Sequence, residues 1–208
     1  QTSGGLSTVG LGQPAYLEAQ LLKTFPAADI VGISWTLVSQ PMGSTVTLEA
    51  TPIPPEVPLY NPADADFYQL VERVMLRPDV VGPYEITAEI TTTTDPITLT
   101  KTVVGATYLG VNNSCLFCHS GGYLPDKITP WSKTRHSQGF SSKIDGIATD
   151  HFREYCIKCH VVGYDTNPLA VNDGFDDVQG DWVIPPELME GNFDAMPQAL
   201  QDKSNIQC

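Results

Sequence analysis

Cys115–His119 reads CLFCH and residues 156–160 read CIKCH, and these two stretches decide how the second half of the chain can fold. The pattern CxxCH is the attachment signal for c-type haem. Its two thiols add to the haem vinyl groups, and the adjacent histidine becomes the proximal ligand of the iron. A single copy also suits a zinc or redox CxxC that precedes a histidine. Two copies in a chain with five cysteines predict two covalent haems. The attachment residues are Cys115, Cys118, Cys156 and Cys159.

The histidine inventory extends this prediction to the second axial ligand of each iron. The chain has four histidines, and the motifs use His119 and His160 as proximal ligands. Iron that is closed by histidine on both faces needs one more imidazole per haem, and His136 and His151 remain. The sequence therefore predicts two bis-histidine haems without an open position, and we assign no residue a catalytic role.

The pairing of these ligands follows from their positions along the chain. His151 lies five residues before Cys156, on the segment that packs against the proximal side of the second haem. We therefore favour His151 as the distal ligand of the first haem and His136 as that of the second. Either histidine can instead serve a haem outside this sequence. Met189 and Met196 are alternative ligands, although methionine more often fills cores.

Cys208 is left over, because the two motifs use the other four cysteines. Three interpretations are open at this point: a free thiol, an intermolecular disulfide, or the first cysteine of a third CxxCH motif. An odd cysteine in an exported protein is a feature that needs one of these explanations.

Charge is distributed unevenly along the chain. The net charge is −13, but residues 127–158 carry +3, so the remainder carries −16. We expect the basic side chains of this stretch to pair with haem propionates through charge-assisted hydrogen bonds. The acidic remainder argues against a nucleic-acid partner, because a phosphate backbone requires a basic surface. No stretch approaches the roughly 18 apolar residues of a transmembrane helix, so no transmembrane segment is expected.

The first hundred residues contain neither cysteine nor histidine, and apolar and polar residues alternate there in short runs between Gly, Pro and Asp. Such alternation predicts strands. We expect them at residues 15–22, 33–38, 45–50, 84–91 and 97–104. The clearest run puts Tyr84, Ile86, Ala88 and Ile90 on one face.

Within this region, ISWTLVSQPMGSTVTLEA (33–50) and LRPDVVGPYEITAEI (76–90) resemble PKD-type immunoglobulin-like domains. The resemblance covers about residues 10–106 and implies an all-β immunoglobulin-like sandwich over residues 1–108. It implies that Trp35 is a buried core tryptophan. It also implies a corner at Asp79, Gly82 and Tyr84, where the tyrosine hydroxyl bonds back to the chain.

The segments CLFCH, WSKTRHSQGF, HFREYCIKCHVVGYDT and NIQC resemble multihaem cytochromes c related to the tetrahaem cytochrome of nitrifying bacteria. The resemblance covers about residues 112–208. In those proteins a tryptophan precedes a histidine ligand, as Trp131 precedes His136, and Gly-Tyr follows a haem motif, as Gly163-Tyr164 does here. It implies a mostly irregular, short-helix cytochrome c domain over residues 109–208, truncated at its C-terminal end. It therefore favours a third haem that begins at Cys208.

Together these features predict electron transfer by an exported multihaem cytochrome. Haem attachment takes place outside the cytoplasm, so we expect a periplasmic or extracellular, cell-surface location. The expected partners are other redox proteins or haem cytochromes, and self-association into a filament is a further hypothesis. The alternative is part of a multihaem oxidoreductase that acts on small nitrogen or sulfur compounds, with its active-site haem beyond residue 208.

Overall fold

The structure is a computed structural model that describes residues 7–22, 24–26, 29–54, 67–69, 72–111 and 115–207. The chain divides into two compact units, residues 1–106 and residues 107–208. The sequence had placed the corresponding boundary between residues 108 and 109.

Strands make up the regular structure that is described in the first unit. They are β1 (Thr8–Gly10), β2 (Ala15–Leu17), β3 (Gln20–Leu22), β4 (Ile30–Ser39), β5 (Glu49–Ala50), β6 (Phe67–Gln69), β7 (Val74–Leu76), β8 (Gly82–Thr92) and β9 (Ile97–Ala106). They form a four-stranded sheet in the order β1-β9-β8-β4, a three-stranded sheet in the order β2-β7-β5, and the pair β3-β6. The β1 and β9 strands are parallel, and the other pairs are antiparallel.

Strand β8 is the centre of the four-stranded sheet and shows the predicted alternation. Tyr84, Ile86, Ala88 and Ile90 are all buried, whereas Glu85 and Glu89 are exposed. Burying an isoleucine side chain contributes about 1.5–3 kcal/mol relative to leaving it exposed. The strands predicted at 33–38, 84–91 and 97–104 are confirmed within β4, β8 and β9.

Two strand predictions are wrong in part. Residues 15–22 form two short strands, because β2 pairs with β7 while β3 pairs with β6. Glu18 lies at the break, where its carboxylate forms an ion pair with the Arg73 guanidinium at 2.7 Å, and both side chains are buried. In 45–50 only Glu49–Ala50 is a strand, since the backbone N–H of Thr45 donates instead to the Asp79 carboxylate at 2.9 Å.

The predicted tyrosine hydrogen bond is confirmed. The Tyr84 hydroxyl donates to the carbonyl oxygen of Val80 at 2.8 Å and accepts from the Val80 backbone N–H at 2.9 Å. Trp35 is only half-buried, contrary to expectation, and its indole N–H donates to the carbonyl oxygen of Glu72 at 2.7 Å.

The predicted fold class, an all-β immunoglobulin-like sandwich followed by a mostly irregular cytochrome region, is wrong. The chain is mixed α/β, with about 26% of residues in strands and 19% in helices, and its main sheets have four and three strands. Alternation along a strand records which face is buried but not which strand is its neighbour. The sequence therefore located strands without determining how they divide among sheets, and it underestimated the helical turns of the second unit.

The described part of the second unit contains six short α-helices and one 3-10 helix. They are α1 (Cys115–His119), α2 (Ile128–Ser132), the 3-10 helix His136–Gln138, α3 (Ser141–Ile144), α4 (Glu154–Ile157), α5 (Phe175–Gln179) and α6 (Gln198–Lys203). Their core is a cluster of apolar side chains drawn from most of these segments. It consists of Phe140, Ile144, Phe152, Ile157, Val161, Phe175, Met196 and Leu200.

Candidate haem sites

The first CxxCH motif coincides with α1, which begins at Cys115 and ends at His119. Residues three apart lie on the same face of a helix, so this turn brings Cys115 and Cys118 together. The chain then folds back onto the motif. The backbone N–H of Leu124 donates to the Cys118 carbonyl oxygen, and that of Lys127 to the His119 carbonyl oxygen, both at 3.0 Å.

The second motif has the same local geometry. It begins inside α4 and continues as a tight turn, in which the backbone N–H of Cys159 donates to the Cys156 carbonyl oxygen at 3.2 Å. The His160 N–H donates likewise to the Ile157 carbonyl oxygen at 2.7 Å. Ile157 and Val161 are buried in the core, whereas α1 contains no buried residue. The second motif is therefore the more firmly anchored of the two.

None of the four cysteines in these motifs forms a disulfide. The spacing of two residues and the helical turn leave both thiols of each motif on one face, which is the arrangement that two thioether bonds to a single porphyrin require. The sulfur chemistry of both sites thus fits covalent haem.

The imidazoles of His119 and His160 are half-buried, and the Nδ1 atom of each is buried without a hydrogen-bond partner among the described residues. Buried polar atoms are nearly always satisfied, and an exception needs an explanation such as a redox role or a bound ion.

The protonation state of His160 also suits iron. Burial, and to a smaller extent the nearby Lys143 ammonium, lower the pKa of His160 below its ordinary value of 6.5. A metal binds the neutral form of imidazole, so this shift favours the form that can act as a ligand near neutral pH.

Large apolar side chains are exposed beside both motifs. Phe117 is 74% exposed and Tyr123 79% exposed, with their ring centroids 5.5 Å apart. Tyr155, adjacent to Cys156, is 75% exposed. Exposed apolar patches of this kind mark places where a ligand or partner is bound. The residues around both motifs therefore fit a large, flat, apolar group, and haem is such a group.

His136 is exposed at the start of the 3-10 helix His136–Gln138. Its carbonyl oxygen accepts a hydrogen bond from the backbone N–H of Ile206 at 3.0 Å. The carbonyl oxygen of Ile206 accepts in turn from the Trp131 indole N–H, also at 3.0 Å. The tryptophan predicted to accompany this histidine thus holds the C-terminal segment against it.

Asn205 also holds the C-terminal segment against the rest of the second unit. Its side-chain oxygen accepts from the backbone N–H groups of Phe140 at 2.8 Å and Ser141 at 3.2 Å, at the start of α3. Asn205 is buried and has a φ of 66°, a conformation that asparagine tolerates better than most residues. Cys208 itself lies outside the described residues.

His151 is the second exposed histidine, with 83% of its side chain accessible. Its Nε2 atom lies 3.0 Å from a carboxylate oxygen of Asp150, which is also exposed. The next residue, Phe152, is buried and packs edge-on against the His160 imidazole, with ring centroids 5.3 Å apart.

The basic residues predicted to pair with propionates divide into two groups. Lys143 donates to the Gly139 carbonyl oxygen at 3.0 Å, and Arg153 donates to that of Phe152 at 2.8 Å. The remaining four are exposed and available to an anionic group: Lys127, Lys133, Arg135 and Lys158.

Sequence reasoning missed the residues that support the second motif. Gly139 lies beside the His160 ring, Phe152 packs against that ring, and Asn205 fixes the C-terminal segment, but none carries a ligand-like signal of its own. Across the ranges that the structure describes, no three or more His, Cys, Asp or Glu side chains form a group that could hold a metal ion.

Comparisons of the chain with protein-family models, with curated proteins and with solved structures found no match. Among the described residues, no helix has the length and apolar character needed to cross a membrane.

Proposed function

We propose that this chain attaches c-type haem covalently at both CxxCH motifs and transfers electrons between redox partners. One observation supports this above the rest: each motif combines a helical turn with two unbridged thiols and a half-buried histidine. When bound, haem supplies a one-electron redox couple at its iron.

The side chains of each site have distinct roles in this proposal. The paired cysteines would fix the group covalently, and His119 and His160 would each offer one imidazole nitrogen to its iron. Phe117, Tyr123 and Tyr155 offer the apolar surface that shields the group from water. A lower solvent exposure changes the potential of a haem, so these side chains tune the electron carrier as well as hold it.

His136 and His151 are exposed and therefore accessible as second axial ligands. Coordination that is closed on both sides leaves no position for a substrate. This favours electron transfer over catalysis, because the alternative multihaem oxidoreductase needs an iron with an open site beside acid–base groups.

The proposal extends to the surroundings of the chain. It includes a third haem that begins at Cys208, a periplasmic or extracellular location, and partners that are redox proteins or haem cytochromes. The proposal also includes self-association of the chain into a filament. Negative-stain images that contain only monomers at high protein concentration would count against the filament.

Expression in a bacterium with c-type haem maturation, followed by intact-mass measurement, tests the attachment. The 208-residue chain should carry the mass of two haems. The double variants Cys115→Ala/Cys118→Ala and Cys156→Ala/Cys159→Ala should each lose one haem, whereas Cys208→Ala should lose none from these two motifs.

A protein that leaves the maturation system with the mass of the bare chain would contradict the proposal.

Electron transfer is tested by mixing the reduced protein with an oxidised c-type cytochrome in a stopped-flow instrument. We expect both haem bands to shift to their oxidised positions, and a reduced spectrum that persists would contradict a carrier role.

A further inference from the structure

We propose that His136 and His160 bind different haems, so that the haem attached through Cys156 and Cys159 is not closed by His136. This inference rests on the covalent attachment proposed above. It replaces the ligand pairing that the sequence favoured, and it follows from what packs behind the His160 ring.

The Nδ1 edge of the His160 imidazole faces the backbone that follows His136. A methyl group built on Gly139 would lie 3.5 Å from His160 Nδ1, 3.2 Å from the Arg135 carbonyl oxygen and 3.7 Å from that of His136. The Nδ1 atom is itself buried. Gly139, at the end of the turn that begins with His136, therefore lies beside the Nδ1 edge of the His160 ring.

The chemistry of imidazole then decides the side of the porphyrin on which His136 lies. In a CxxCH motif, Nε2 is the nitrogen that faces the iron, and Nδ1 faces the protein. Whatever contacts Nδ1 lies on the proximal side of the porphyrin plane, because the plane is on the opposite edge of the ring. Gly139, and with it the preceding helical turn, is therefore proximal to the second haem.

His136 is not able to swing from this position to the other face. Its carbonyl oxygen accepts from the N–H groups of Gly139 at 3.4 Å and Ile206 at 3.0 Å, so its backbone is fixed on both sides. A histidine has only two side-chain torsions, and its imidazole would have to pass around the edge of the porphyrin to reach the distal position.

For His136, the first-motif haem and a haem that follows the segment at Ile206 are both consistent with the proposal.

The test uses a background in which only the second motif retains its thiols, Cys115→Ala/Cys118→Ala. In this background, His136→Ala should leave the electron paramagnetic resonance spectrum and the midpoint potential of the second haem unchanged. His160→Ala is the positive control, because loss of the proximal ligand must change both. Gln138→Ala, an exposed neighbour in the same 3-10 helix, controls for local disturbance.

A new high-spin signal in His136→Ala that is absent from Gln138→Ala would overturn the proposal. Absence of covalent haem from the background protein, seen by intact mass, would instead overturn the attachment on which the proposal rests. The two failures are therefore distinguishable.

A second variant does not depend on the background. In the unmodified chain, His136→Met should leave the potential of the second haem where it was, since a methionine ligand raises the potential only of the haem that it binds. The redox step of the second haem is identified by its loss in Cys156→Ala/Cys159→Ala. An increase in the potential of that step in His136→Met would also overturn the proposal.

Discussion

At the scale of single residues, the molecule depends on side chains that satisfy several backbone groups at once. Asp79 accepts from the Ser44 hydroxyl, the Thr45 backbone N–H and the Tyr84 hydroxyl. Partial burial raises the pKa of Asp79, but these hydrogen bonds together outweigh it and leave the pKa below its ordinary value of 3.8. The ionised carboxylate is therefore the form that the folded first unit prefers.

Asp79→Asn should destabilise the first unit at pH 7 by about 1 kcal/mol, the typical net contribution of a hydrogen bond. A folded-state pKa that is depressed stabilises the fold above the unfolded-state pKa, and this contribution is lost as pH falls through the folded-state value. The difference between wild type and variant should therefore diminish as the pH falls through the folded-state pKa of Asp79. Urea unfolding at pH 7 and at low pH measures it.

Asp95→Asn is the matched control, because this exposed carboxylate accepts none of the hydrogen bonds described for the first unit. An equal loss of stability in both variants, or a loss in Asp79→Asn that does not depend on pH, would contradict the role assigned to Asp79.

His151 is the residue for which the proposed ligand role is most directly testable. His151→Ala should convert one haem of the chain to the high-spin state, because the exposed imidazole is replaced by a methyl group that has no lone pair. The electron paramagnetic resonance spectrum of the oxidised protein measures this change. Asp150→Asn, which removes the neighbouring charge and retains the imidazole, should leave the spin state as it was.

At the scale of elements, the chain that follows the second motif joins three parts of the second unit. The Val162 N–H donates to the Lys203 carbonyl oxygen at 3.0 Å, and the Phe175 N–H donates to that of Val162 at 2.9 Å. Gly163 follows with a φ of 75°, and a methyl group there would lie 2.5 Å from the Tyr108 ring and 2.6 Å from the backbone of Gly174. Steric crowding therefore explains why the first residue of the Gly-Tyr pair after the motif is glycine.

Gly163→Ala should destabilise the second unit by at least about 1–3 kcal/mol, the range for a residue forced into an unfavourable backbone conformation. Gly122→Ala is the control, since Gly122 has open space where the methyl group would go. Thermal unfolding of the haem-loaded protein compares the two. A loss in Gly163→Ala no greater than that in Gly122→Ala would show that the close packing is not required.

The break between β2 and β3 is the second feature at this scale. Removing one partner of a buried ion pair leaves an uncompensated charge, so Glu18→Leu should cost about 3–5 kcal/mol. The double variant Glu18→Leu/Arg73→Leu should recover much of this loss, because no buried charge then remains. Denaturant unfolding measures both, and a double variant less stable than Glu18→Leu would contradict the pairing as the cause.

At the scale of the whole molecule, the question is whether this chain carries electrons or transforms a substrate. If protein ligands close every iron, as the electron-transfer proposal requires, the oxidised, full-length native protein should have a purely low-spin spectrum. Addition of nitrite or hydroxylamine should leave this spectrum unchanged. A high-spin fraction that responds to either compound would favour the oxidoreductase alternative. The positive control is a c-type cytochrome whose iron is known to have an open coordination position.

The sequence by itself determined the chemistry of the candidate sites. Two CxxCH motifs and four histidines specify which thiols and imidazoles are present, and the spacing within each motif is local. Residues 115–119 and 156–160 can therefore be interpreted as candidate haem sites in any fold that keeps them as helical turns. The sequence also located the long strands, since the alternation around Tyr84 and Ile86 depends only on neighbouring positions in the chain.

Only the tertiary structure decided what depends on contacts between distant positions. The division of the strands among sheets of four, three and two, the buried pair of Glu18 and Arg73, and the placement of Gly139 beneath His160 all join residues far apart in sequence. Local patterns carry no information on such partners, because the same alternation or spacing is compatible with many pairings. For that reason the sequence supplied the candidate haem ligands, while the proposed separation of His136 from the second haem came from the packing beside His160.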